Sequence, residues 1–170
     1  YGRNSVTTSG HHGNAVLSSY PIRAWDNIDV SVAGEEPRAL LHCAIAMPTM
    51  DLHAICVHFG LKESHRQMQL KALCRFIEQV IPAEAPLIVA GDFNDWRGRA
   101  HQILSEAAGL REVTVEHSGQ AARTFPARRP LLRLDRIYTR SVQLSVPASM
   151  PQAGWSHLSD HLPLMAEIEP

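Results

Sequence analysis

Several things are scarce in this sequence, and each shortage excludes something. Cysteine is limited to Cys43, Cys56 and Cys74, an odd count without close spacing. Such a set makes neither a disulfide framework nor a zinc knuckle, and reads as buried, reduced thiols. No apolar run approaches the roughly eighteen residues that a membrane-crossing helix needs. Excess charge is missing as well: 16 Lys plus Arg face 17 Asp plus Glu, a net charge of -1. Nucleic acid is therefore not attracted by bulk charge, and any phosphate binding must be local. Aromatic residues make up 6%, few for a surface that stacks bases. Internal repeats and low-complexity stretches are lacking. What remains is an ordinary globular balance, 45% apolar and 19% charged over 170 residues. It suits one domain with a buried core.

Hydrophobic periodicity sets out the elements. Residues 13–19 form a short apolar run stopped by Tyr20-Pro21 and read as a buried strand. Residues 28–32 alternate, and 38–46 and 52–59 are strand-like runs around a loop containing Pro48. Over 62–81 the period changes to that of a helix, with Leu70, Leu73, Phe76, Ile77 and Val80 on one face. Ser64 is a candidate cap and Pro82 the stop. Residues 86–91 are wholly apolar, as in a strand covered on both faces. Residues 99–108 predict a short helix ended by Gly109. Strands are expected near 133–139, 142–146 and 162–168, after a loop-like stretch over 121–130. This order predicts a mixed sheet system with helices packed outside it.

Four polar clusters fall at strand ends: His58-Phe59-Gly60, Gly91-Asp92-Phe93-Asn94-Asp95, Leu134-Asp135-Arg136-Ile137 and Ser159-Asp160-His161. Each alone reads more simply as turn chemistry, because Asp and Asn side chains bond nearby backbone. Asp135 is the exception. A carboxylate inside an apolar run needs a cation or a donor, and His161 is a fitting partner.

Together, in this order and spacing, the clusters resemble the endonuclease/exonuclease/phosphatase superfamily, which includes pancreatic deoxyribonuclease, apurinic-site endonucleases, neutral sphingomyelinases and inositol polyphosphate 5-phosphatases. Gly13-Asn-Ala-Val-Leu-Ser18, Thr124-Phe125-Pro126 and Arg129-Pro130-Leu131 also look like its small bacterial members. The resemblance implies an α/β fold, a four-layer sandwich of two packed mixed β-sheets flanked by helices, with the site at one edge. It implies a phosphoesterase, most naturally a phosphodiesterase, using Mg²⁺ or Mn²⁺ as suits oxygen donors. Asp92 would orient or deprotonate the attacking water, and Asn94 would hold a phosphate oxygen. His161 would contact the phosphate with Asp135 fixing its tautomer. His58 would stabilise the phosphate or the leaving oxygen. Asp160, with Asp92 and Asn94, would lie in or beside the metal's coordination shell. The substrate would be a phosphate ester of DNA or RNA, a lipid or an inositol.

The same resemblance implies a strand with an Asn and then a metal-binding Glu ahead of Gly13. Residues 1–12 contain Asn4 but no acidic residue. Residues 1–170 are thus expected to be a single domain that is N-terminally truncated, the later portion of a longer enzyme. An exposed sheet edge would then invite self-association. The alternative is a non-catalytic fragment or degenerate interaction domain lacking that Glu. A cytoplasmic location is the default that the reduced thiols and the lack of a visible leader suggest.

Lesser candidates have simpler readings alongside. Arg123, Arg128, Arg129, Arg133 and Arg136 either grip phosphate or are loop charge. Arg66 and Gln69 fit a family helix pattern or an exposed face. Asn14 faces the site or makes a structural bond. His11, His12, His65, His101, His117 and His157 read as surface residues. Trp96 stacks on a substrate or caps a core. Trp155 and Met150-Pro151 could offer an apolar loop to a lipid.

Overall fold

The structure, a computed structural model, describes residues 1–147 and 154–169. Its centre is a six-stranded mixed sheet. The strands are β3 (Ile22–Asp29), β4 (Ala39–Ala46), β5 (Asp51–His58), β6 (Leu87–Asp92), β7 (Arg111–Glu112) and β8 (Asp135–Arg140), in the order β3-β4-β5-β6-β8-β7. Strands β5 and β6 pair in parallel, and the other neighbours are antiparallel. That one parallel step requires a crossover, which is α1 (Glu63–Val80).

Strand alternation sends side chains to two cores. Leu40, Ile55, Val57, Leu87 and Val89 pack with Leu70, Leu73 and Ile77 of α1 and with Leu104 of α2 (Arg99–Ala108). Leu41, Cys43, Ile45 and Leu52 face the opposite side and pack with Val142. Against that second face lie the pair β1 (Gly2–Thr7) and β2 (Gly10–Asn14), and the pair β9 (Gln143–Pro147) and β10 (Ala166–Glu169). Val16 and Ile168 contribute apolar contacts there. The α/β sandwich is as expected, its second sheet taking the form of two short antiparallel pairs among the described residues. No described helix is long and apolar enough to cross a membrane.

Several local expectations need correction. The first strands are the hairpin β1–β2, not 13–19. It carries no apolar alternation, and tertiary bonds hold it: Asn14 Nδ2 donates to the carbonyls of Ala39, 2.8 Å, and Cys56, 3.1 Å. Asn14 is therefore a structural residue. Strand β3 begins six residues before the expected alternation, because register with β4 fixes it rather than burial. Lys62, not Ser64, occupies the cap of α1 and makes no side-chain cap bond. Strand β7 and helix α3 (Val113–Ser118) were too short to leave a period in the sequence. Buried Glu112 caps α3 by accepting from Val115 N at 2.6 Å. Helix α2 and its Gly109 stop agree with the sequence expectation. Met150-Pro151 lies outside the described residues, and Trp155 is exposed.

Candidate active site

The parallel step of the sheet places two of the clusters side by side. Strand β5 ends at His58 and β6 at Asp92, paired in register. Strand β8 starts at Asp135, directly opposite Asp92 in the antiparallel ladder. Three site residues thus stand at one end of three adjacent strands, where rigid elements present them to a loop-built pocket.

Gly91 makes this possible. Its φ is +138°, and a Cβ built there would come within 2.0 Å of the Val57 carbonyl oxygen. Only glycine lets β6 run this close to β5 while turning Asp92 to the edge. Beyond the strands the backbone stays interlocked. Phe59 N donates to Asp92 O, and Phe93 N to Leu134 O, both at 2.9 Å. Asn94 takes a left-handed φ of 49°, which Asn tolerates. Its backbone N–H donates to Asp92 Oδ1 at 2.8 Å, and its amide Nδ2 to Phe59 O at 2.9 Å. Buried Asn94 therefore joins the His58 and Asp92 corners, with one amide hydrogen engaged on the backbone.

The fourth cluster arrives through the loop before β8. Thr124 O accepts from Leu162 N at 2.8 Å, and Asp160 O from Ala127 N at 2.7 Å. Thr124 Oγ1 accepts from Asp135 N at 3.3 Å. One buried threonine thereby holds both halves of a dyad: His161 Nδ1 lies 2.7 Å from Asp135 Oδ2. The Phe125 ring flanks His161 at 4.9 Å between centroids.

His58, Asp92, Asn94, Asp135, Asp160 and His161 all line one cavity of about 640 Å³, whose other walls are Leu61, Trp96, Phe125, Leu132 and Leu134. The electrostatics follow from this crowding. Burial pushes the Asp92 carboxyl up, Asp135 opposite adds to the rise, and the Asn94 N–H, His58 and His161 oppose it. Burial and Arg38 push His58 down against the pull of Asp92, whose Oδ2 is 3.5 Å from its Nε2. For His161, burial lowers the pKa, but the bond to Asp135 and the charges of Asp135, Asp92 and Asp160 outweigh it. The net shift is upward. The site sets one imidazole toward its cation and one toward neutrality.

Among the described residues, no group of three or more His, Cys, Asp or Glu is placed to hold a metal ion. Asp92, Asn94 and Asp160 share a cavity but do not by themselves make the expected Mg²⁺ or Mn²⁺ site.

Arg66 and Gln69 are buried rather than on an exposed face. Arg66 donates to Glu63 at 2.7 Å and to the carbonyls of Gly60 and Leu61. Gln69 Oε1 accepts from Gly60 N at 2.8 Å, and its Nε2 donates to Val30 O at 3.3 Å. Together they brace the corner after His58. Their spacing on α1, one turn apart beside Leu70, was the available signal. Arg136 is buried with Nη2 on the Asp95 carbonyl at 3.2 Å, and Arg133 bonds Ala121 O and Gln120, both at 2.7 Å. Arg123, Arg128 and Arg129 are exposed. His101 is half-buried against Tyr138, and His65 is half-buried on α1. His11, His12, His117 and His157 are exposed as expected.

Comparison with known proteins concerns the fold and the family. The uncharacterized protein YbhP of Escherichia coli K12 is 52% identical over 170 residues, 99% of this chain and 67% of its own length. A family protein from Leptotrichia buccalis superposes with a TM-score of 0.73 at 17% identity, covering 99% of this chain and 70% of its own. Danio rerio TDP2 complexed with a single-strand DNA product superposes with a TM-score of 0.68 at 20% identity, covering 83% and 65%. At these identities the two structures share the fold. The chain spans about two thirds of the length of each. Residues 1–161 match the model of the Endonuclease/Exonuclease/phosphatase family, and the chain belongs to that family.

Proposed function

We propose that this chain carries the phosphate-handling site of a phosphodiester hydrolase that uses an activated water. The observation that supports it most is the convergence of all four strand-end clusters on one cavity, with the His161–Asp135 dyad in its wall. Hydrolysis of a phosphodiester needs an in-line water, a proton acceptor and charge to offset the anion. Asp92 is the acceptor: its raised pKa makes it a stronger base than an ordinary carboxylate. His161 is the charge. Asp135 holds Nδ1–H and leaves Nε2–H to donate to a phosphate oxygen. His58, kept toward neutrality, accepts or relays a proton beside the leaving oxygen. Asn94 fixes the Asp92 loop and offers its remaining amide hydrogen to the phosphate. Asp160 would serve a divalent cation, Mg²⁺ or Mn²⁺, whose remaining donors come from outside the described residues. Such a cation polarises a phosphoryl oxygen when bound. Edge strand β3, with exposed Trp25 and Ile22, is the surface we propose for self-association. The non-catalytic alternative is weaker, because family membership and the gathered side chains favour a hydrolase.

The test is hydrolysis of bis(4-nitrophenyl) phosphate and nicking of supercoiled DNA, with Mg²⁺ or EDTA. This chain and a version of relatives' length should both be assayed, beside His161→Ala and Asp92→Asn. Turnover in the longer version that both substitutions abolish supports the reading. Turnover indifferent to His161→Ala and Asp92→Asn refutes it.

A further inference from the structure

One wall of the cavity has no part in the chemistry above. Among the described residues that line it there is no Lys or Arg. The nearby guanidinium groups are engaged elsewhere: Arg66 with Glu63, Arg38 with Glu36, Arg136 with the Asp95 backbone and Arg97 on the Trp96 ring. A substrate with a second phosphate close to the first would meet Asp92, Asp135 and Asp160, with His161 as the cation of the lining and no Lys or Arg there for the second phosphate. The wall is apolar instead. Trp96 is 53% exposed although it lines the cavity, and Leu61 and Leu132 are likewise exposed. Burial does not explain why an indole stands there. It follows the Asp92–Asp95 loop directly, so its backbone is fixed by the bonds that position Asp92. The Arg97 guanidinium lies over its ring, 4.5 Å from the centroid. A cation over one face steadies the ring, and the exposed indole adds apolar surface to the cavity lining.

We propose that Trp96 is the specificity-determining residue of this site. It seats a planar aromatic ring attached near the scissile phosphate and selects singly charged diesters over polyphosphorylated substrates. The inference rests on the phosphodiesterase reading and deepens it. Aromatic rings gain most from offset or edge contact with an indole, whereas a flexible alkyl chain gains only its buried area. A ligand ring on Trp96 and a phosphate on His161 would share one cavity, since both residues line it.

Binding separates this proposal from the catalytic one. Phenylphosphonate, n-hexylphosphonate and methylphosphonate are titrated calorimetrically into the protein, its Trp96→Ala and its Trp96→Phe, with Mg²⁺ present. The expected result is phenyl binding about tenfold tighter than methyl, the scale of one aromatic contact plus its burial. That ratio collapses toward one in Trp96→Ala and survives in Trp96→Phe. Equal binding of phenyl and methyl, or a ratio unchanged by Trp96→Ala, overturns the assignment of Trp96 and leaves the phosphate site standing. Hexyl binding as tightly as phenyl also overturns it, in favour of a general apolar seat. Binding of none of the three overturns the phosphate site itself and Trp96 with it.

Discussion

His161 and Asp135 are 26 residues apart in the chain, yet Nδ1 of one lies 2.7 Å from Oδ2 of the other. Neither lies on the same element, and the loop pinned by Thr124 joins them. The pair fixes which imidazole nitrogen faces the cavity and biases that ring toward its charged form.

Replacing Asp135 by Asn removes the largest contribution that raises the His161 pKa, so the value should fall. The cation is the working form, so activity declines as pH rises through that pKa. In Asp135→Asn the decline should begin at lower pH. For stability the sign is the same. A raised folded pKa contributes fully below the ordinary 6.5 and is lost as pH climbs through the folded value. An NMR titration of the His161 ring, with and without Asp135→Asn, checks both. Superimposable curves would reject the coupling.

Asp92→Asn tests the proposed base. The expected loss in kcat is about 10²–10⁴-fold, the range for a removed general base. KM and the urea midpoint should change little, since Asn can still accept from the Asn94 N–H. A variant with near-normal kcat would transfer the role to another group.

Gly91→Ala should be costly out of proportion to one methyl group. The added Cβ would meet Val57 backbone oxygen at 2.0 Å, and neither strand can move without breaking the ladder. A loss of about 3 kcal/mol or more is expected. Urea denaturation measures it. A loss under about 1 kcal/mol would mean that β5 and β6 separate easily here.

Gln69→Leu tests the brace after His58. It leaves Gly60 N and Val30 O without their side-chain partner. The expected cost is about 1–3 kcal/mol, the price of buried unpaired backbone groups. Activity should fall through His58, visible as a changed pH profile rather than a lower yield of folded protein. An unaltered profile would make Gln69 purely structural.

Acid should weaken the fold through His42 and His53. Their rings stack 5.2 Å apart and 7° from parallel, with Nε2 of His42 2.9 Å from Nδ1 of His53. Burial lowers both pKa values below 6.5, aided at His42 by His53 and at His53 by Arg140, and opposed by Asp26 and Asp51. The unfolded chain then binds protons more readily than the folded one. Stability from the pair is complete above about pH 6.5 and is lost as pH falls through the lowered values. The urea midpoint should therefore drop between about pH 7 and pH 5, and less steeply in the double variant His42→Gln, His53→Gln. Equal slopes would remove the pair from the acid response.

Much of this protein was legible because its signals are local. The 3.6-residue period of α1, the apolar run of β6 and the Gly109 stop of α2 each reside in contiguous residues. The four chemical clusters were legible for the same reason, since strand ends carry turn-forming and polar types. Asp135 even announced its need for a partner, because a carboxylate between Leu134 and Ile137 cannot stay unpaired. Other features depend on neighbours far along the chain. The hairpin β1–β2 has no apolar pattern and exists through bonds to Ala39, Cys56 and Asn27. Burial of Arg66 and Gln69 is set by the corner that they brace, and polar types alone left an exposed face equally open. The sequence determined which residues could do chemistry and on which elements they sit. Only the tertiary structure decided that Asp92 faces Asp135, that Thr124 brings His161 to that carboxylate, and that Trp96 lines the same cavity. Strand register and loop pinning made those choices, and both come from pairing between distant segments rather than from any residue's own preference.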